Sequence, residues 1–124
     1  MMVLVDMSIW IDHFRRGDPQ MTALLDRGDV IMHPFVLGEL VLGNVPKIAR
    51  MIDDLRALPK AIAASTDEVL EFISDRKLSG SGIGYVDVHL LAAAALTPET
   101  FIWTRDQRLR AAAQSLSLSA DTRK

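Results

Sequence analysis

There is no cysteine among the 124 residues of the chain. That absence excludes a cysteine nucleophile, a thiolate zinc site and an iron–sulfur cluster. It also excludes a disulfide staple. A chain of this length, 49% apolar, needs none, because it can bury about two-thirds of its unfolded surface. The missing thiols fit a reducing compartment. Long apolar runs are missing too: nothing approaches the ~20 residues that span a bilayer. Met1 to Asp6 has neither the basic region nor the apolar stretch of a secretory signal. The expectation is a soluble cytoplasmic protein with residues 1–124 in one domain. An excess of one charge is also absent. Sixteen acids face fourteen bases, for a net charge of −2, which argues against coating nucleic acid by bulk charge. The balance is uneven along the chain. The segment 105–124 holds five bases and two acids, and the remainder is acidic.

Several catalytic signatures are lacking as well. There is no Gly-x-Ser-x-Gly elbow. The glycines between Ser79 and Gly84 match neither the phosphate loop nor the dinucleotide fingerprint, and read as a flexible loop that presents Asp87. His13, His33 and His89 lack metal-ligand spacing, and read as packed or surface histidines.

What is present is alternation. Val3-Leu4-Val5, Val30-Ile31-Met32 and Phe101–Thr104 read as short buried strands, with weaker candidates at Ala61–Ala63 and Leu116–Leu118. Between them lie helical patterns over Met7–Arg16, around Met21–Leu25, from Pro34 to Gly43, from Pro46 through Leu55, over Thr66–Leu78 with Thr66 as N-cap, over Val86–Leu96 and over Asp106–Ser115. The class is α/β, with a mostly parallel central sheet of about four to five short strands flanked by helices.

In such sheets ligands bind beyond the carboxyl ends of the strands. Asp6 follows the first strand, with Ser8 two residues on. Glu39 lies in an apolar helix after the second. Asp87 opens the helix after the glycine loop, and Thr104 and Asp106 follow the Phe101–Trp103 strand. Singly, Asp6, Asp87 and Asp106 read as helix caps or first-turn acids. Together, the four acids Asp6, Glu39, Asp87 and Asp106 would share one rim. Clustered carboxylates repel, and a hard divalent ion such as magnesium or manganese relieves the repulsion and serves phosphoryl chemistry. Ser8 and Thr104 would orient carboxylates or water. Arg105, Arg108 and Arg110 are candidates for phosphate contact, and equally for exposed helix faces.

The run Val5-Asp6-Met7-Ser8-Ile9-Trp10-Ile11-Asp12 resembles the opening of a PIN-domain ribonuclease of the VapC type, the toxin of bacterial toxin–antitoxin pairs. Gly38-Glu39-Leu40, Gly84–Ala92 and Trp103-Thr104-Arg105-Asp106-Gln107-Arg108-Leu109 resemble its later motifs in the same order. The resemblance implies a PIN-like domain and magnesium- or manganese-dependent endonucleolytic cleavage of RNA by a metal-activated water. It makes Asp6, Glu39, Asp87 and Asp106 the metal site, supported by Ser8 and Thr104. It also implies a homodimer and a cognate antitoxin. The alternative is a binding module. A phospho-receiver would need paired acids after the first strand and a lysine after the last, but Asp6 stands alone and no lysine lies between Lys77 and Lys124. A metal-dependent adhesion module of the von Willebrand A type would have a serine where Trp10 stands.

Overall fold

Three consecutive apolar residues in a strand can all be buried only when both faces of the sheet are covered. Val3, Leu4 and Val5 meet that condition in β1 (Met2–Val5), where none is more than 1% exposed. The computed structural model describes residues 1–45 and 47–120. β1 lies between β2 (Val30–Ile31) and β3 (Thr100–Trp103), and both pairings are parallel. Leu4 pairs with Ile31 on one side and with Ile102 on the other. All three carboxyl ends therefore share one edge.

Among the described residues the sheet has three strands rather than four or five. Neither weaker candidate forms a strand: the single parallel bridges, Met32 to Lys60 and Ile102 to Ser119, fall one residue outside Ala61–Ala63 and Leu116–Leu118. The physical reasons are local. Ala61 is buried and its N–H donates to the Met32 carbonyl, but Ile62 is half exposed and its N–H donates to Thr97 Oγ1, so the pairing goes no further. Ser117 adopts a left-handed backbone (φ 59°), so the chain becomes extended only at Leu118.

Helices fill the connections. α1 (Met7–Arg16) leaves β1 directly and stops at Gly17, whose φ of 73° a side chain would resist. α2 (Pro19–Asp26) is capped by Asp18, whose carboxylate accepts from the Gln20 and Met21 amides. α3 (Pro34–Leu42) carries Pro34 in its first turn, and His33 Nδ1 accepts from the Phe35 amide. The described part of the next helix, α4 (Ile48–Arg56), begins at Ile48; the expected start at Pro46 lies outside the described residues. α5 (Thr66–Asp75) begins one residue earlier than expected. Its cap is Ser65, in a reciprocal capping box with Glu68, so Thr66 is the first helical residue. α6 (Tyr85–Leu96) buries every residue from Val88 to Ala94. α7 (Gln107–Ser115) follows β3. No described helix is long and apolar enough to cross a membrane.

Candidate active site

Asp6 and Asp106 both occupy N-cap positions, yet they use their carboxylates differently. Asp106 caps α7: its Oδ1 accepts from the Arg108 amide at 3.0 Å and the Leu109 amide at 3.1 Å. Asp6 makes no side-chain cap bond to α1. Its main-chain N–H is tied to the Trp103 carbonyl at 3.0 Å, which turns the end of β1 toward the end of β3. Its Oδ2 accepts two hydroxyls, Ser8 Oγ at 2.9 Å and Thr104 Oγ1 at 2.7 Å. Those oxygens in turn accept main-chain N–H groups, Ser8 Oγ from Arg105 at 3.1 Å and Thr104 Oγ1 from Asp106 at 3.0 Å. Each hydroxyl oxygen thus has its acceptor side occupied and its proton directed at Asp6. The other Asp6 oxygen, Oδ1, is left clear of both. This is the arrangement expected of second-layer groups that orient a functional carboxylate.

Thr104 is 4% exposed and holds both ends of this relay. Replacing it by valine keeps the shape and removes the hydroxyl, leaving the Asp106 N–H and one Asp6 lone pair unpaired. The expected cost is about 1–3 kcal/mol of unfolding free energy, measured by denaturant titration. Thr104→Ser should recover most of it.

Asp87, in the first turn of α6, is half-buried and has its carboxyl pushed up to about 6. The largest cause is loss of water around it, followed by the negative charges of Asp6, Asp106 and Glu39. Three acids from three distant segments therefore act on a fourth. Even so, among the described residues no three Asp, Glu or His side chains stand close enough together to enclose an ion by themselves. Glu39 is only partly buried. The apolar residues around it in sequence do not mark a core helix all round, because Phe35, Val41 and Leu42 are 40%, 46% and 87% exposed.

The three candidate arginines have separate fates. Arg105 makes two ion pairs, Nη1 to Asp12 Oδ2 at 3.2 Å and Nη2 to Asp18 Oδ2 at 3.0 Å. Arg108 donates from Nη1 to the Gly82 carbonyl at 3.1 Å, which pins the glycine loop to α7. Gly82 has φ 84°, and a Cβ there would lie 3.3 Å from that same nitrogen. Arg110 is exposed on α7. Two members of the basic tail segment, Arg123 and Lys124, lie outside the described residues.

Sequence reasoning treated His33 and His89 as packed or surface residues, and both are buried. It did not foresee the stack they join. Phe35 meets His33 at 5.1 Å and His89 at 4.7 Å between ring centroids, and His89 meets Tyr85 at 4.7 Å. The contacts are edge-to-face, and the one between Phe35 and His89 joins α3, which carries Glu39, to α6, which carries Asp87. His33 is pushed down to about 4, first by burial and then by the charge of His89. Burial likewise lowers His89. The stack thus favours neutral imidazoles. The available signal was the i, i+4 spacing of Tyr85 and His89 on a helix whose Asp87 lies between them.

A shallow apolar groove of about 630 Å³ runs beside Glu39, walled by Pro34, Phe35, Val41, Leu42 and Val86. The carboxyl edge of a short parallel sheet thus carries Asp6 and Asp106. Residues 3–114 match the family model described as PIN domain, and the chain belongs to that family. Its VapC-type membership rests on a close relative. Ribonuclease VapC32 of Mycobacterium tuberculosis (strain CDC 1551 / Oshkosh) is 40% identical over 111 residues, covering 90% of each chain. Ribonuclease VapC32 of strain ATCC 25618 / H37Rv matches to the same extent. The phospho-receiver and adhesion-module readings are set aside by this membership.

Proposed function

We propose that residues 1–124 act as one endoribonuclease domain, cleaving RNA phosphodiester bonds with magnesium or manganese, as the toxin of a VapBC-type pair in the cytoplasm. The ribonuclease class rests on family membership and on a relative named as a ribonuclease. The observation that carries the site is Asp87, whose carboxyl is raised to about 6 by burial and by three other acids. Asp6, Glu39, Asp87 and Asp106 are the residues that would hold the ion.

The donor chemistry fits. All the oxygens are hard, and a cation would relieve the repulsion that raises Asp87. Magnesium is held through few carboxylates and keeps several of its own waters, so it does not need an enclosing set of protein ligands. When bound, such an ion supplies an acidified water and positive charge against the phosphodiester oxygens. The protein's part is orientation. Ser8 and Thr104 hold Asp6, the edge-to-face contacts of Phe35, His89 and Tyr85 join the helices of Glu39 and Asp87, and Arg108 holds the loop that precedes Asp87.

Partners follow from the same reading. RNA would meet the acidic rim. The exposed apolar face of α3, with Val86 beside it, supports a protein partner, either a second copy in a homodimer or the cognate antitoxin.

Cleavage of a single-stranded RNA by the wild-type chain should vanish in EDTA and return with magnesium or manganese. At an ion concentration tenfold above its Kd, Tm should rise by about 5 °C. Undiminished cleavage in EDTA would overturn the metal requirement. Failure to cleave RNA with either ion would overturn the activity. For the toxin role, expression should arrest growth, and a small protein encoded in the adjacent reading frame should relieve the arrest.

A further inference from the structure

Arg105 stands between Thr104 and Asp106, in the loop that carries two of the six proposed site residues. An arginine there invites a reading as a phosphate contact, but its donors are directed elsewhere. Nη1 meets Asp12 on α1 and Nη2 meets Asp18 at the head of α2, both through Oδ2. Asp12 is also held by Arg16 at 3.2 Å, through Oδ1. Asp18 gives Oδ1 to the Gln20 and Met21 amides, and its own N–H donates to His13 Nδ1 at 3.1 Å. Each acid is therefore anchored on one side and presents its other oxygen to Arg105. The guanidinium carbon lies 5.9 Å from the Trp103 ring centroid, on the residue where β3 ends. One cation thus ties the β3–α7 loop to the two helices that follow β1.

The main chain of the same residue completes the link. The Arg105 N–H donates to Ser8 Oγ, the hydroxyl that donates to Asp6. The next N–H, of Asp106, donates to Thr104 Oγ1, the other hydroxyl on Asp6. A shift of this loop would move Thr104 and Asp106 relative to Asp6 and would withdraw the N–H that holds Ser8 Oγ. Both Nη nitrogens of the guanidinium are engaged by Asp12 and Asp18, so a phosphate would have to compete with two carboxylates for them.

We propose that Arg105 is a positioning residue of the cleavage site, acting through Asp12 and Asp18, and not an RNA-binding residue. The proposal rests on the ribonuclease reading above, so one of its readouts is independent of cleavage. The two roles predict opposite behaviour. For a positioning residue, Arg105→Met should lower kcat by about tenfold to a hundredfold, the scale of a small misplacement. KM and its salt dependence should barely change. The Asp12→Asn/Asp18→Asn double variant should show the same loss, and Arg105→Lys should recover part of it. For a phosphate contact, Arg105→Met would raise KM and reduce the salt slope by about one. The double variant, by freeing the guanidinium, would then lower KM.

The independent readout is amide hydrogen exchange in the full chain. The Arg105 and Asp106 N–H groups should exchange faster in Arg105→Met and in the double variant, with far-ultraviolet circular dichroism unchanged. Unaltered exchange at both amides would overturn the positioning role whatever the activity. A KM effect with a reduced salt slope would overturn it in favour of RNA contact. A wild-type chain that cleaves no RNA would overturn the ribonuclease reading and, with it, this role in cleavage, while the exchange data would still report on the loop itself.

Discussion

Replacing Asp87 by asparagine is expected to abolish RNA cleavage and to make the metal-free protein more stable at neutral pH. The second effect follows from the first residue's environment. Its carboxyl ionises near 6 in the folded chain, against an ordinary 3.8, because burial removes water and Asp6, Asp106 and Glu39 repel its charge. Between about pH 4 and 6 the folded chain binds more protons at this residue than the unfolded chain does. Stability therefore falls as pH rises through that window, and the full cost is present above it. The shift corresponds to at most about 3 kcal/mol, less whatever solvent screens at a half-buried position. Asparagine removes the charge and the cost together. At pH 7.5, without divalent ion, the variant should melt several degrees above wild type, and the gain should disappear near pH 4. Magnesium should stabilise the wild type more than the variant and narrow the gap. Cleavage should fall by about 10²- to 10³-fold or more. A variant that cleaves at the wild-type rate, or melts lower at pH 7.5, would remove Asp87 from the site.

That expectation recasts the charge of the chain. A net charge of −2 says little about RNA, because it averages over a rim where four acids act together. The stability lost in gathering them is of the kind found where activity and stability compete. It leaves a field that a divalent ion, and through it a phosphodiester, can answer. Among the arginine candidates, Arg105 is paired with Asp12 and Asp18, and Arg108 donates to the Gly82 carbonyl.

Much of this was legible in the residues, and the pattern of what was not is physical. Val3-Leu4-Val5 followed by Asp6 announced a doubly covered strand with a polar residue at its carboxyl end, because no other element buries three consecutive apolar side chains so cheaply. The order of the later motifs identified the family. The outer strands were overestimated because alternation and length cannot see Ser117, whose left-handed backbone delays extension until Leu118. The apolar neighbours of Glu39 in sequence suggest a helix buried all round, yet helix geometry turns Leu42 and Val41 to solvent. The partners of Arg105 were out of reach for a different reason. Asp18 is 87 residues away in sequence, and nothing local marks the pair. The cap reading of Asp6 and Asp106 separated only in three dimensions, where one carboxylate serves its helix and the other faces two hydroxyls.

Asp6→Asn is expected to abolish cleavage with a contrasting stability signature, and the contrast tests the geometry of the cluster. Ser8 and Thr104 both direct protons at Asp6 Oδ2, and their own acceptor sides are taken by main-chain N–H groups. An amide nitrogen in that place would face two donors. Asparagine must therefore turn its oxygen to the hydroxyls and leave its NH₂ where Oδ1 was, aimed away from the hydroxyls. A carboxylate oxygen becomes a donor, which no cation accepts. The hydrogen bonds persist but lose their charge assistance, a loss of about 1 kcal/mol. Relief of the repulsion on Asp87 offsets part of this, so the melting temperature should change little, unlike that of Asp87→Asn. Among the three repelling acids, Asp6 acts most strongly on Asp87. In metal-free Asp6→Asn, the Asp87 carboxyl followed by carbon-13 NMR should therefore titrate below its wild-type midpoint near 6. The stability gain of Asp87→Asn should shrink in the Asp6→Asn background, a coupling that a double-mutant cycle reads directly. The double variant should cleave no more slowly than either single one, since both remove the same ion-holding function. An unmoved Asp87 midpoint, or strictly additive stabilities, would separate the two carboxylates and dissolve the shared site.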